Sequence, residues 1–453
     1  MTQERNTFMR LAFVSDTHLG FARGSVREGD AYLALKQALE GIAKQDVDAI
    51  IHPGDMFDHK IPTQEVWNES FDLLSILQNG KEPEVKITHT KRDGSANEFN
   101  YQGIPLIAIA GTHEYRSKDL KNALQVLETG NFLICLHASH ALIEKKKENG
   151  EIEKVAVHGM SGIPEKRALE ALKMYNPQPI SGVHNLLVLH QSIKEFLPSK
   201  DDMVATIGLE NLPAGFDLMV NGHLHWTSLT EWEGKRLLIP GSTVFTQMKN
   251  LEGKKPKGWY VYDTQTRELT MHHLPKQRKL YYHKLKFKDG TPQKILKVCR
   301  EVIEKDLIHS NHAHEMLPLY RLKVVGTLAK GFTQADVDIS SVVREFESKA
   351  LFSCMKKFST GEFSFRLDEL RALHKSNTSL SKMGIDLLEK NLQQTMMNAR
   401  IDVKRLFELL EEKDNIDKVV QLLKEGELVS RAPEENTVVE TEKIKVAAQS
   451  KLN

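Results

Sequence analysis

Seven short apolar runs punctuate residues 1–275, at 10–15, 48–52, 105–110, 155–159, 185–190, 217–221 and 236–240. Runs of this length, bounded by polar residues, predict buried strands. Between them apolar residues recur at helical spacing. Trp67, Phe71, Leu74 and Leu77 form one stripe, and Tyr32, Leu35, Leu39 and Ile42 form another. Strands alternating with amphipathic helices predict an α/β domain. Residues 80–103 break the pattern with Lys, Asp, Asn and Gly, and predict a long, exposed insertion.

The pattern changes at 276–288, which is basic and alternating. A boundary placed here opens a smaller α+β unit over 276–370: a strand near 282–288, a helix 292–306, a strand 319–325, a helix 334–348 and a strand near 352–358. Thr333 with Asp336 is a start signal for the second helix. Residues 371–383, containing Lys-Ser-Asn-Thr-Ser-Leu-Ser-Lys, predict a linker. Three stripes follow over 384–425: Ile385, Leu388, Leu392 and Met396; Val403, Leu406, Phe407 and Leu410; and Ile416, Val419 and Leu423, closed by Gly426. So short a helical segment has little core of its own, so its stripes either pack back on the body or fill a partner's groove. The tail, 426–453, is polar and predicts disorder.

Charge and composition narrow the choices. The net charge is +1, so bulk charge implies neither a nucleic-acid nor a membrane partner, and any basic surface is local. Three scattered cysteines without a C-x-x-C pair, no membrane-length apolar run and no signal-peptide core predict a soluble intracellular protein, cytoplasmic and nucleoid-associated if prokaryotic. No G-x-x-x-x-G-K-[ST] loop occurs, so the chain shows no ATPase motif.

Five polar motifs occupy one structural address, the carboxyl end of a predicted strand. They are Asp16-Thr17-His18, Gly54-Asp55, Gly111-Thr112-His113-Glu114, His190, and Gly222-His223-Leu224-His225. Residues i and i+2 of an extended segment point to one side, so Asp16 with His18, and His223 with His225, can each grip one centre. Carboxylate plus imidazole without thiolate suits manganese, iron or zinc. Two divalent ions ~3.5–4 Å apart supply both a nucleophile and charge neutralisation for phosphodiester hydrolysis.

These motifs resemble those of the calcineurin-like metallophosphoesterases and, within them, the SbcD / Mre-eleven DNA double-strand-break repair nucleases. The stretches Leu209-Glu210-Asn211-Leu212-Pro213, Leu189-His190-Gln191, Ile239-Pro240-Gly241-Ser242 and Lys257-Gly258-Trp259-Tyr260-Val261 extend the resemblance. It implies a four-layer αββα sandwich with a smaller α+β cap and a C-terminal helical hairpin. By the same resemblance Asp16, His18 and His225 would hold one ion, and Thr112, His190 and His223 the other. Asp55 would bridge both, with His113 beside the phosphate as charge stabiliser or proton donor. The expected cofactors are two manganese ions. The expected activities are exonuclease on duplex ends and single-strand endonuclease. The expected partners are DNA, a second copy of the chain, and an SbcC / Rad-fifty type ATPase docked on 384–425.

Two positions depart from the family pattern. Thr112 stands where the family usually has Asn, and a hydroxyl is a poorer neutral ligand than an amide oxygen. Asp58, followed by His59, stands where the repair nucleases often have His. Lys254, Lys255, Lys257, Lys276, Arg278 and Lys279 are candidate phosphate contacts, against the plain reading of a solvated lysine face. His52 and His158 read as structural, and His309, His312 and His314 as loop residues. Two other functions stay open: another calcineurin-like phosphodiesterase or phosphatase, to which Glu114 after His113 points, and a DNA-end-binding scaffold with an impaired metal site, to which Thr112 points.

Overall fold

The computed structural model describes residues 8–115, 120–197, 206–308, 316–359, 385, 402–411 and 416–424. Every strand foreseen in the first 275 residues forms. They assemble into two sheets. The first runs, edge to edge, Leu269–His273, Gly258–Asp263, Arg10–Phe13, Ala49–His52, Leu106–Ile109 and Ile134–Leu136. The second runs Ser228–Trp232, Lys235–Ile239, Leu218–Asn221, His184–Leu189, Ile152–Met160, Ser139–Lys146, Val85–Thr90 and Ala96–Glu98.

Period-two alternation explains the layering. Leu11 and Phe13 face the second sheet, where they meet Ile143, Val155, Leu186 and Leu218. Ala12 and Val14, on the other face of the same segment, pack under the helices Asp30–Ala43 and Gln64–Gln78. The outer face of the second sheet packs Leu187, Leu189 and Met219 against Ala168 and Leu172 of the helix Glu165–Tyr175. The order is therefore helix, sheet, sheet, helix. Central strands covered on both faces read as unbroken apolar runs, which is why they were legible. Each large aliphatic or aromatic side chain so buried contributes about 1.5–3 kcal/mol.

Three expectations need correction. Residues 80–103 are not simply an exposed insertion. Val85–Thr90 pairs with Ser139–Lys146 and buries Ile87 completely, and Ala96–Glu98 pairs on its outer edge. This edge hairpin is half-wet, so its polar residues masked the pattern. On the helix Gln64–Gln78 the buried face is Val66, Ser70, Leu73, Leu74 and Leu77, while Phe71 is 40% exposed, its ring between those of Trp67 and Phe132. The helix expected over 334–348 is a single turn, Gln334–Asp336, and a short helix, Ile339–Arg344, with Asp338 rather than Thr333 in the N-cap position. Buried Val337 and Ile339 pin the chain between the two turns.

A third sheet, ordered Leu280–Gly290, Leu319–Leu328, Leu351–Ser359, carries the helix Pro292–Leu307 on one face. Its core is Ile295, Cys299, Ile303, Tyr320, Leu322 and Val324. The chain divides into two compact units: Met1–Gly326 with Gln334–Phe358, and Thr327–Thr333 with Ser359–Asn453. The third sheet's strands thus fall largely within the same unit as the first two. In the second unit, Val403–Glu411 and Ile416–Lys424 are helices, and Leu406 packs with Val419, Leu409 and Leu422. Of the stripe at 385–396 only Ile385 is described. The linker 371–383, Gly426, the tail and the trio His309, His312 and His314 lie outside the described residues.

Candidate metal centre

The strands that precede the motifs run parallel within each sheet: Arg10–Phe13 with Ala49–His52 and Leu106–Ile109 in one, His184–Leu189 with Leu218–Asn221 in the other. Their carboxyl ends therefore share an edge, and the loops beyond them converge. The backbone there is strained. Asp16 (φ 49°), His18 (φ 48°), Asp55 (φ 53°) and His223 (φ 74°) all adopt the left-handed region. Non-glycine residues persist in that region only where surrounding contacts over-determine them, at about 1–3 kcal/mol each.

Those contacts are visible. The Asp16 carboxylate accepts from Ser15 Oγ and, at 3.0 Å, from the His223 amide. Asp55 Oδ1 accepts from the His113 amide at 2.9 Å. Gly54 and Gly111 leave the space this requires: a Cβ on Gly54 would run into the His190 ring, and one on Gly111 into the Asp55 carboxylate. Asn221 locks two loops together, accepting from the Gln191 amide at 3.0 Å and donating to the Gln191 carbonyl at 3.0 Å.

Three ligand clusters result, one of them His18, Asp58 and His113; the other two share a carboxylate. Asp16, His18, Asp55 and His225 offer atoms within 4.8 Å of one another, and so do Asp55, His190 and His223. Asp55 belongs to both. Thr112 sits half-buried on the loop between Gly111 and His113. The His113 ring is 41% exposed and meets the His18 ring edge-on at 4.8 Å. Its Nδ1 donates to the Asp58 carbonyl at 2.7 Å, which leaves Nε2 available.

The imidazole nitrogens test whether this pocket fits metal. His190 Nδ1 donates to the Pro53 carbonyl at 2.7 Å, which aims Nε2 into the pocket. That Nε2 is buried without a hydrogen-bond partner, although Asp55 Oδ2 lies 3.0 Å away. His18 Nδ1 donates to Asp58 at 3.0 Å, and His225 Nδ1 is held by Thr246 Oγ1. Their Nε2 atoms then face each other at 3.2 Å. Two ring nitrogens this close share a proton or converge on one cation. An orphaned ring nitrogen, two opposed ones and two buried carboxylates fit divalent cations.

Electrostatics draw positive charge into the pocket: burial opposes protonation of His190 and His18, but Asp55 raises the first to about 9 and the hydrogen bond to Asp58 raises the second. Burial raises Asp16 to about 6, despite the pull of His190. Burial also opposes ionisation of Asp55, but His190 overrides it and holds that carboxyl well below the usual range. Burial lowers His223 to about 4 and His225 well below the ordinary imidazole value, so both stand neutral as ligands must.

Two carboxylates do work that the motifs alone did not reveal. Asp58 orients His18 through the bond just described. His59, 68% exposed, reaches only the far oxygen of Asp58 at 3.7 Å. Glu114 is completely buried; its oxygens accept from the amides of Gly111 (2.7 Å), Phe57 (2.7 Å) and Asp55 (3.2 Å). It ties two ligand loops together and is satisfied internally, so it is not aimed at a substrate. Burial, with Asp55 adding, pushes its carboxyl up to about 7. Thr246, from a loop 21 residues beyond His225, had no local signal. His52 is structural, as its sequence context implied, its Nε2 3.3 Å from Thr17 Oγ1 and its Nδ1 3.3 Å from the Gly54 amide.

The basic candidates separate. Lys254, Lys255, Lys276 and Lys279 are exposed. Lys257 is not a surface cation: it is 4% exposed, and its Nζ donates to the His225 carbonyl (2.8 Å), Ser242 Oγ (2.8 Å) and Glu252 (3.1 Å). Arg278 is also turned inward. Its Nε meets both Asp30 oxygens, at 2.9 and 2.8 Å, and Nη1 donates to the Leu317 carbonyl at 2.7 Å. A cation buried without a partner costs far more than one paired this way, so both side chains turn toward carboxylates.

Residues 9–227 match the calcineurin-like phosphoesterase family, and the chain carries a metallophosphoesterase domain. Within that class it is similar to the DNA double-strand break repair protein Mre11. It is 28% identical to that of Sulfurisphaera tokodaii over 55% of this chain and 57% of the relative. It is 26% identical to that of Methanopyrus kandleri over 56% and 54%, and 28% identical to that of Saccharolobus solfataricus over 56% and 60%. The resemblance to the SbcD / Mre-eleven nucleases thus extends well beyond the motifs, and the chain spans a little over half the length of the curated relatives it matches.

Proposed function

We propose that this protein is a two-metal-dependent DNA nuclease of double-strand-break repair, acting as an exonuclease on duplex ends and an endonuclease on single strands. The observation that carries this reading is the convergence of Asp16, His18, Asp55, His190, His223 and His225 on one pocket, with His190 Nε2 unpartnered and the Nε2 atoms of His18 and His225 3.2 Å apart. The similarity to Mre11 supports DNA as the substrate. Asp16, His18 and His225 would hold one ion and His190, His223 and Thr112 the other, with Asp55 in reach of both. Bound ions, manganese in this reading, neutralise phosphoryl charge and supply the nucleophile. His113 presents Nε2 to the phosphate or leaving oxygen. Asp58 and Thr246 fix the rings that aim at the first ion.

The proposal includes an intracellular homodimer and an SbcC / Rad-fifty type ATPase docked on 384–425. The helices Val403–Glu411 and Ile416–Lys424 support the docking element. Purified protein with manganese should cleave labelled duplex ends as well as a generic phosphodiester. Cleavage of the ester alone returns the protein to the wider phosphodiesterase class, and DNA binding without cleavage makes it a scaffold. Deleting 384–453 should weaken co-purification with the ATPase; wild-type yield would remove that partner site.

A further inference from the structure

The ring of His225 is aimed by a peptide that is itself held from both ends. Thr246 Oγ1 bonds His225 Nδ1. The Thr246 amide and the Phe245 carbonyl belong to one peptide plane. Its N–H donates to Glu252 Oε1 at 3.2 Å, and its oxygen accepts from Arg27 Nη2. Glu252 Oε1 also accepts from Lys257 Nζ at 3.1 Å, and the same Nζ donates to the His225 carbonyl at 2.8 Å. Threonine is β-branched and stiff at χ1, so a fixed plane leaves Oγ1 few directions in which to point.

Arg27 is in turn fixed by the junction with the third sheet. Its Nε donates to Asp30 Oδ2 at 3.1 Å, and Arg278 Nε donates to both Asp30 oxygens. Arg278 stands just before the strand Leu280–Gly290. Its Nη1 donates at 2.7 Å to the carbonyl of Leu317, just before the strand Leu319–Leu328. The Leu319 amide closes this corner by donating to the Lys279 carbonyl at 2.8 Å. The starts of two strands are thereby tied to one carboxylate. Arg27, Asp30 and Arg278 are largely buried, with side chains 13%, 7% and 9% exposed. Ion pairs so buried add little net stability over apolar residues of like volume, so what they supply is geometry. An ordinary ion pair between two parts of a chain ends at the carboxylate. This one runs on to the carbonyl beside the residue that braces His225.

We infer that Arg27, Asp30 and Arg278 are positioning residues for the metal centre, tying the seat of the third sheet to the orientation of the His225 ring. They act through the peptide between Phe245 and Thr246, not on the ring itself. A third sheet displaced from its seat draws Arg278 off Asp30. Arg27 then loses the partner that fixes its Nε, and the Phe245 carbonyl is released. Thr246 no longer holds Nδ1 in one place, and His225 Nε2 leaves its position 3.2 Å from His18 Nε2. The centre is complete only while the third sheet is seated. The inference rests on the metal centre proposed above.

Manganese binding to the full-length chain, read by titration calorimetry, tests it, with urea unfolding followed alongside. Thr246→Val should weaken one of the two ions by about 10–100-fold, as outer-shell partners do. Arg27→Gln should weaken the same ion, toward the lower end of that range. Added to Thr246→Val, Arg27→Gln should cost no further affinity, because members of one network are not additive and the path is already cut. Arg27→Lys keeps a donor in reach of the carbonyl and should recover most of the loss. Arg267→Gln, which breaks the ion pair with Asp217, should leave manganese binding unchanged. Asp30→Asn repeats the comparison should Arg27→Gln melt early. Unchanged affinity in these variants overturns the proposal. So does a loss of stability alone, or an affinity loss that adds in full to that of Thr246→Val. A wild-type chain that binds no manganese removes the metal centre itself. One that binds two ions and answers to these variants, yet leaves DNA intact, keeps the positioning role and defeats the nuclease reading alone.

Discussion

The metal pocket and the open face of the third sheet use charge in opposite ways. In the pocket, charged and titratable groups are buried and interlocked: Asp16 and His190 are fully buried, Asp55 and His18 are 1% exposed, and each has a fixed partner. On the sheet face Lys284, Lys286, Lys288 and Lys357 are exposed. Burial gives a charge strength and direction at the cost of desolvation, which must be offset by hydrogen bonds and ions. Exposure gives reach without precision, and salt screens it within about 8–10 Å. Positioning of atoms belongs to the first arrangement, and holding a polyanion to the second.

The contrast can be broken by substitution, starting with the pocket. Asp55→Asn removes the one carboxylate common to two of the ligand clusters and should abolish cleavage, with less than two metal ions bound per chain by elemental analysis. Undiminished turnover would refute the bridging role. Glu114→Ala leaves three buried amides without an acceptor. At about 1–3 kcal/mol for each, the loss should exceed about 3 kcal/mol in urea unfolding; a change under about 1 kcal/mol would mean that the loops hold without it. Asp58→Ala frees His18 and should weaken manganese binding, read by titration calorimetry, by about 10–100-fold, as outer-shell partners do. Retained affinity would leave His18 oriented by something else.

A smaller effect sharpens the comparison away from the ligands. His158 is 3% exposed, and its Nε2 lies 3.2 Å from Asn185 Oδ1; burial lowers it to about 4. The unfolded chain takes up this proton near ~6.5. As pH falls below that value the unfolded state binds protons the folded state refuses, so stability drops until about pH 4 and is intact above the ordinary range. Between pH 7 and 5 the loss should be about 2 kcal/mol. His158→Gln should flatten this part of the stability curve; an identical acid slope in the variant would clear His158. The exposed lysines, by contrast, should shift stability by no more than about 0.5 kcal/mol when neutralised.

How far each region could be read in advance follows the same physics. Central strands were legible because both faces are apolar, and the ligands because they sit next in sequence to those strands. The edge strand Val85–Thr90 was hidden because one of its faces is wet. Thr246 was hidden because its bond to His225 crosses 21 residues that include the strands Ser228–Trp232 and Lys235–Ile239. Lys257 and Arg278 looked like surface cations because sequence records charge but not direction. Asp58 and Glu114 were noticed only as departures or echoes of a pattern; their work is to accept bonds from groups the chain brings in from elsewhere.

The sequence by itself determined the alternation of strands and helices of an α/β domain, the five ligand motifs and their common place at strand ends, since hydrophobic period and local order are written residue by residue. Only the tertiary structure decided which nitrogen of each histidine is free, which carboxylates brace the pocket and which lysines turn inward. Those outcomes depend on distances between segments up to 207 residues apart, such as His18 facing His225. Such distances exist only after the sheets have packed and closed their edges on one another.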